Sequence, residues 1–338
     1  MNKLIFCISL LLTLCVSSCA TLDDYDNSVE SNFDVLWKTF DEHYCYFEQK
    51  GIDWQGVKDI YKPRALACRT TDDLFNTCAQ MLDTLRDGHV NLSSSFNTSY
   101  YRRWWSDYPQ DFNLRTLQEY YLEFDYRSTG GISYRTLAGG KIGYMYIPSF
   151  SSPIGTGNLN AIFAYFNDCD ALVIDIRNNG GGMLSNVETL VSRFIDSEFT
   201  TAYIRHKTGP GHNDFSEPYP MTYHPAGTGK HWDKPVAVLT NRSCFSAAND
   251  FVSAMKQLPG VKIVGARTGG GGGMPFSSQM PCGWKVRFSA CPVTDASGHD
   301  IEEGIDPSPG CEMHAPDTEL AAGRDSILEF AISILLGL

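Results

Sequence analysis

The spacing of apolar residues changes along this chain, and each change marks a new kind of element. From residue 30 they recur every three to four positions: Phe33, Leu36, Trp37, Phe40, Tyr44 and Phe47 form one stripe, and Leu74, Phe75, Cys78, Met81, Leu82 and Leu85 another. That is the period of a helix with one buried face. Ser31 is placed to cap the first helix, and Thr70, Thr71 and two aspartates open the second. Trp54, Val57 and Ile60 predict a shorter helix between them. Residues 30–90 read as a small helical bundle whose aromatic stripes are core.

Residues 90–137 are polar and aromatic, with Tyr100, Tyr101, Trp104, Trp105, Tyr108, Tyr120 and Tyr121, and predict a few strands and a wall facing a substrate. Short, continuous apolar runs follow at Ile142–Ile147, Ala171–Ile176, Val236–Leu239 and Val261–Val264, separated by helical patterns such as Leu184, Val187, Leu190, Val191 and Phe194. Runs of that length alternating with amphipathic helices predict a partly parallel sheet covered on both faces. Ile327, Leu328, Phe330, Ala331, Ile334 and Leu335 predict a closing helix too short to span a bilayer. The fold class is therefore α/β (α+β): an N-terminal helical bundle, then a core over residues 91–338 built on a mixed, partly parallel sheet.

The first residues bear on the compartment. Lys3 precedes an apolar run from Leu4 to Val16, which ends in Val16-Ser17-Ser18-Cys19. The run suits a signal-peptide core, and its end is similar to a lipobox, with Cys19 as the lipidated residue. Residues 1–18 are then a leader and 19–29 a tether, acidic at Asp23, Asp24 and Asp26. The expected location is the bacterial envelope, on an outer-membrane lipoprotein facing the periplasm or the surface. The formal net charge of -12, with no basic stripe, argues against a nucleic acid partner. Cys45, Cys68, Cys78, Cys169, Cys244, Cys282, Cys291 and Cys311 lie outside the leader without a C-x-x-C pair, which disfavours a zinc cage. Cys282 and Cys291 are candidates to face each other across a hairpin; buried free thiols are the reading for most of the rest.

Three segments carry candidate chemistry. In Val238-Leu239-Thr240-Asn241-Arg242-Ser243-Cys244-Phe245-Ser246-Ala247-Ala248 a strand runs into a turn, and Ser246 opens a helix. A serine there lies beside unpaired amides and the positive end of the dipole, which favour a developing oxyanion, although serine is equally a common helix cap. In Leu85-Arg86-Asp87-Gly88-His89-Val90, His89 is a candidate general base at a helix end. In Asp175-Ile176-Arg177-Asn178-Asn179-Gly180-Gly181-Gly182 a glycine loop follows a buried strand. No lysine followed by serine or threonine comes after these glycines or after Thr268–Gly273, so an amide-lined oxyanion hole fits better than a phosphate loop.

Taken in order, Asp-Gly-His, Asp-Ile-Arg-Asn-Asn-Gly-Gly, Leu-Thr-Asn-…-Ser-Ala-Ala and Glu302-Glu303-Gly304-Ile305-Asp306-Pro307 resemble the tail-specific, C-terminal-processing and tricorn-core serine peptidases. That family also includes the domains of interphotoreceptor retinoid-binding protein. The resemblance runs over residues 30–335 and implies a ClpP/crotonase-like catalytic core. It implies Ser246 as nucleophile, with the amides of Gly181 and Ala247 as oxyanion hole. The tail-specific branch uses a lysine about one loop beyond the serine, where this chain reads Gly265-Ala266-Arg267-Thr268-Gly269 through Gly273. Arginine stays protonated and cannot serve, so the tricorn-like branch with His89 as base is implied. In that branch a glutamate near the Gly-Ile segment orients the histidine; Glu302 is the candidate and Glu303 the runner-up. Gly88 stands where tricorn-type enzymes carry serine, and the stretch between His89 and Ile142 is too short for an inserted PDZ domain.

The implied reaction is hydrolysis of peptides or unfolded proteins by acyl transfer, which requires no metal or organic cofactor. The first rival is a non-catalytic lipoprotein binding peptides or hydrophobic ligands on the same fold. A second is a zinc hydrolase using His206, His212, His224 and His231, which lack His-Glu-x-x-His spacing, and a third is a Cys244 nucleophile.

Overall fold

In the computed structural model the described residues are 26–338, so the leader, Cys19 and most of the tether lie outside them. The predicted bundle forms as α1 (Val29–His43), α2 (Trp54–Leu66) and α3 (Thr71–Asp83). Ser28, not Ser31, caps α1, because its hydroxyl accepts the Ser31 amide; Thr70 caps α3 by accepting the Asp73 amide. The indoles of Trp37 and Trp54 each donate to the other's backbone carbonyl at 3.1 Å, which fastens α1 to α2.

The strands are β1 (Asn91–Ser93), β2 (Arg127–Thr129), β3 (Ile132–Leu137), β4 (Ile142–Tyr146), β5 (Ala171–Asp175), β6 (Phe199–Ile204), β7 (Tyr219–Tyr223), β8 (Val236–Thr240), β9 (Val261–Gly265), β10 (Met274–Gln279), β11 (Lys285–Cys291) and β12 (Val293–Asp295). The main sheet has the order β2-β3-β4-β5-β8-β9. Its parallel part, β4-β5-β8-β9, consists of the four apolar runs read from the sequence, while β2 and β3 join antiparallel. β4, β5 and β8 are buried at every position, as strands covered on both faces require. One covering layer contains α4 (Thr156–Tyr165), α5 (Leu184–Val191) and α6 (Ala247–Lys256), which pack Leu159, Phe163, Leu190 and Phe251 against Leu172, Ile174 and Val238. On the other side α7 (Ser326–Leu336) sets Ile327, Leu328 and Ala331 against Tyr144, Val173 and Leu239.

Two small antiparallel sheets, β1-β11-β10 and β12-β6-β7, complete the fold. The helical layer shares its core with them: Phe33, Phe40, Phe75 and Leu82 belong to one cluster with Trp284, Val286, Phe288 and Ile301. Segments on either side of residue 90 therefore pack as one body. Cys291 pairs in register with Met274, and both Cys282 and Cys291 are free thiols. What positions the site is the sheet centre, where β5 and β8 run parallel and send loops 176–183 and 241–246 off the same edge.

Candidate active site

The β5 loop is held by charge and by amide side chains. Arg177 is fully buried and bridges Asp175 at 2.6 Å and Asp325, the cap of α7, at 2.7 Å. Asn179 donates to the Ile147 carbonyl at 3.0 Å and accepts the Gly181 amide at 2.9 Å. Asn241, just after β8, accepts the Asn178 amide and donates to the Asn178 side chain, so the two loops are sewn together. Such amide networks fix a loop without apolar core.

Ser246 ends the second loop as the cap of α6, with φ 57° and ψ −126°. A non-glycine residue at positive φ is strained, and here the strain comes with a sharp strand-to-helix turn that lifts the hydroxyl clear of the helix. The turn is over-determined: the Ser246 amide donates to the Gly270 carbonyl at 2.8 Å, and the Phe245 amide to that of Asn179 at 3.1 Å. Gly181 packs against it so closely that a Cβ there would lie 2.9 Å from the Ser246 Cβ and 3.0 Å from the Ala247 nitrogen.

His89 comes to the same point from the end of the helical layer. Its Nε2 lies 2.9 Å from the Ser246 Oγ, across 157 residues of sequence. The ring is buried and packs on Phe245. Burial lowers its pKa to about 4, while the neighbouring Asp87 pulls the other way. At neutral pH the imidazole is uncharged and able to accept a proton.

Around His89 the structure differs from expectation. Among the described residues Glu302 makes no hydrogen bond to the imidazole: its Oε1 takes the Lys50 ammonium at 2.7 Å, and its Oε2 and His89 Nδ1 are each without a hydrogen-bond partner. Glu303, the runner-up, is exposed. The carboxylate closest to the histidine in bonding terms is Asp87. Its Oδ1 accepts the His89 amide at 2.7 Å, and its Oδ2 accepts Tyr44 Oη at 3.0 Å and Ser289 Oγ at 2.8 Å, with Lys50 Nζ at 3.7 Å. Two buried carboxylates thus share one ammonium. Asp87 has the donors and stays ionised: burial alone would raise its pKa, but Lys50, His89 and the Ser289 hydroxyl together hold it below the usual range. Glu302 is pushed up to about 8 by burial and then by Asp87. Sequence reasoning quoted Asp87 without weighing it; the signal was the Asp-x-His spacing, which lets an aspartate cap the amide two residues on. Lys50 carried no local signal.

The oxyanion donors are unequal. Ala247, first residue of α6, has an amide without an acceptor among the described residues, as helix geometry dictates. The Gly181 amide is already given to Asn179, whereas the Gly182 amide beside it has no acceptor among the described residues. The glycine run 269–273 is not a solvent loop but is buried: a Cβ on Gly270 would come within 1.8 Å of the Glu302 carbonyl oxygen, and Gly271–Gly273 line a pocket with Ser246.

The rival sites separate. Cys244 is buried, donates to the Ile176 carbonyl at 3.0 Å and has its thiol pushed up to about 12 by burial, so it is not a nucleophile. His206, His212, His224 and His231 face Cys291, Asp41, Glu198 and the Ala226 carbonyl respectively, four different places. The aromatic segment after residue 90 places Tyr101, Trp104 and Tyr108 in a cavity of about 870 Å³ that also touches Glu302 and Lys50, while Ser246 opens on a separate pocket of about 130 Å³.

The chain is similar to known peptidases. Residues 141–308 match peptidase family S41, and residues 25–83 match the tricorn protease C1 domain. A candidate peptidase from Parabacteroides merdae, known from its crystal structure, is 44% identical with a TM-score of 0.86, over 92% of this chain and 98% of that one. The carboxy-terminal processing protease CtpB of Bacillus subtilis is 25% identical over 178 residues, 52% of this chain and 35% of that protein. Mature CPAF, at 14% identity and a TM-score of 0.67 over 91% of this chain and 96% of that one, shares the fold. The chain spans about a third of the length of the curated relatives it matches.

Proposed function

The chain belongs to peptidase family S41, and from that premise we propose that it is a serine-type peptidase acting on peptides or unfolded proteins through an acyl-enzyme at Ser246. The observation that carries the proposal is the 2.9 Å contact between His89 Nε2 and Ser246 Oγ at a strained helix start. His89 takes the hydroxyl proton as the oxygen attacks the peptide carbonyl. The carbonyl oxygen, now negative, receives the Ala247 amide, with Gly181 or Gly182 as second donor; Gly181 serves by loosening its bond to Asn179. The imidazolium then gives its proton to the leaving amine. Water deprotonated by the same nitrogen releases the acyl group and regenerates the serine.

Asp87 positions His89 by its backbone and favours the imidazolium that forms in both steps, the role first assigned to Glu302. Glu302, its carboxyl pushed up by burial and then by Asp87, acts on Asp87 through the shared Lys50. The reaction is tested by incubating an unfolded protein with wild type, Ser246→Ala and His89→Ala and mapping products by mass spectrometry. Loss of nearly all turnover in both folded variants supports the proposal; undiminished cleavage by either sinks it. That His89 Nδ1 has no hydrogen-bond partner among the described residues favours a binding protein on this fold, and the same assay decides it, since such a protein cleaves nothing.

We also place the protein on the bacterial envelope, anchored through lipid on Cys19. The support is the lipobox-like Val16-Ser17-Ser18-Cys19 after an apolar run, in residues outside those described. Metabolic labelling with an alkyne fatty acid is expected to mark wild type and not Cys19→Ala; equal labelling contradicts the anchor.

A further inference from the structure

We propose that the pocket beside Ser246 receives the side chain of the residue whose carbonyl is attacked, and that Asp250 in its lining selects a cation there, lysine or arginine. The inference rests on the serine-peptidase reading above and adds its substrate class.

The orientation of the pocket follows from its lining. Ser246, Ala247 and Gly182 border it and His89 does not. The leaving amine must face His89 to be protonated, so a pocket on the side of the oxyanion donors belongs to the acyl half of the substrate. Its walls are apolar at Leu184, Met221, Met274 and Val293, a lining suited to the aliphatic stem of a long cationic side chain.

Asp250 follows Ser246 by four residues, and its amide donates to the Ser246 carbonyl at 3.0 Å, so the two side chains lie on one face of α6. Among the described residues its carboxylate has neither a hydrogen-bond donor nor an ion-pair partner, although Asp87 at the same site is well supplied with donors. Burial alone raises its pKa to about 7. A half-buried carboxylate without a partner is costly, and a substrate ammonium or guanidinium removes that cost on binding. The other groups facing this region are Tyr223 and Glu188, whose phenol and carboxylate add no positive charge. Arg287 is exposed, lines the same pocket without pairing with Asp250, and acts nearer to His89, whose pKa it lowers. If Arg287 set the preference instead, acidic side chains would be selected.

The test uses the full chain and a set of peptides differing only at the residue before the scissile bond: lysine, arginine, norleucine, alanine or glutamate. Wild type is expected to prefer lysine and arginine. In Asp250→Asn the ratio of kcat/KM for lysine over norleucine falls by about 10- to 100-fold, the worth of one charge-assisted hydrogen bond. Binding of benzamidine to the Ser246→Ala protein, followed by calorimetry, gives a readout that needs no hydrolysis. It should weaken by a similar factor when Asp250→Asn is added. A wild-type preference for norleucine or glutamate, or a ratio and a benzamidine affinity unmoved by Asp250→Asn, overturns the proposal. Absence of hydrolysis with Asp250-dependent benzamidine binding sinks the peptidase reading and leaves the cation site standing.

Discussion

Replacing Lys50 with methionine, nearly its isostere, removes the ammonium that Asp87 and Glu302 share. Its nitrogen lies 3.7 Å from Asp87 Oδ2 and 2.7 Å from Glu302 Oε1, and its side chain is 7% exposed. At an effective dielectric of about 20 the attraction to Asp87 is roughly 4.5 kcal/mol, and that to an ionised Glu302 roughly 6 kcal/mol. The second figure does not count in full at neutral pH, because burial and Asp87 push Glu302 up to about 8 and oppose its ionisation there. The first does count, offset by no longer burying an ammonium. The expected loss is about 3 to 5 kcal/mol at pH 7, the range for removing one partner of a buried pair. Its pH dependence has a fixed sign. Asp87 has a depressed pKa in the folded protein, so the stability it contributes is present above its unfolded value of 3.8 and disappears as pH falls through the folded one. The gap between wild type and Lys50→Met must therefore close below about pH 4. Urea unfolding from about pH 2 to 8 measures it, because the gap closes only as pH falls below 3.8 through the folded Asp87 pKa. A difference under about 1 kcal/mol at pH 7, or one that does not narrow in acid, refutes the shared-cation account.

Four further outcomes follow from the site. Gly181→Ala places a Cβ 2.7 Å from the Phe245 carbonyl oxygen and 2.9 Å from the Ser246 Cβ at φ 98°. It should cost at least about 100-fold in kcat, the scale of a lost oxyanion donor, and near-normal turnover would contradict the geometry. With a peptide neutral at the subsite of Asp250, kcat/KM should fall in acid with a midpoint near 4, where His89 takes up its proton, and a midpoint near 6.5 would show the imidazole is not buried in this way. The same depressed pKa means that stability is lost as pH falls from about 6.5 to about 4, on the order of 3 kcal/mol, because only the unfolded histidine binds a proton in that window. Cys244→Ala should keep its turnover while losing about 1 to 2 kcal/mol of stability by denaturant titration; abolished turnover in a folded variant would revive the thiol.

The legible part of the fold was the part written in periodicity. Ile142–Ile147, Ala171–Ile176, Val236–Leu239 and Val261–Val264 became four adjacent parallel strands because a strand buried on both faces must be apolar throughout. β10 and β11 escaped notice: in Met-Pro-Phe-Ser-Ser-Gln only half-burial is needed, and a proline sits at a register shift. At the site, Ser246 and His89 were legible as ordered motifs, and the structure brings them into contact. The charge network was not. Lys50 meets Glu302 across 252 residues, and no local pattern distinguishes a lysine that will be buried from one on a surface. Glu302, read as the partner of the imidazole, instead hydrogen-bonds that lysine. Asp250, an acid in the first turn of α6, carries no signal in the sequence that sets it apart; the pocket it lines does.

The central claim is that the Ser246 hydroxyl is activated by the His89 imidazole, and covalent trapping tests it most directly. Wild type, His89→Ala and Ser246→Ala are treated with a fluorophosphonate, and adducts are located by intact mass and peptide mapping. The expected result is one adduct on Ser246 in wild type, labelling slower by orders of magnitude in His89→Ala, and none in Ser246→Ala. An adduct on another residue, or equal labelling rates with and without His89, contradicts the account.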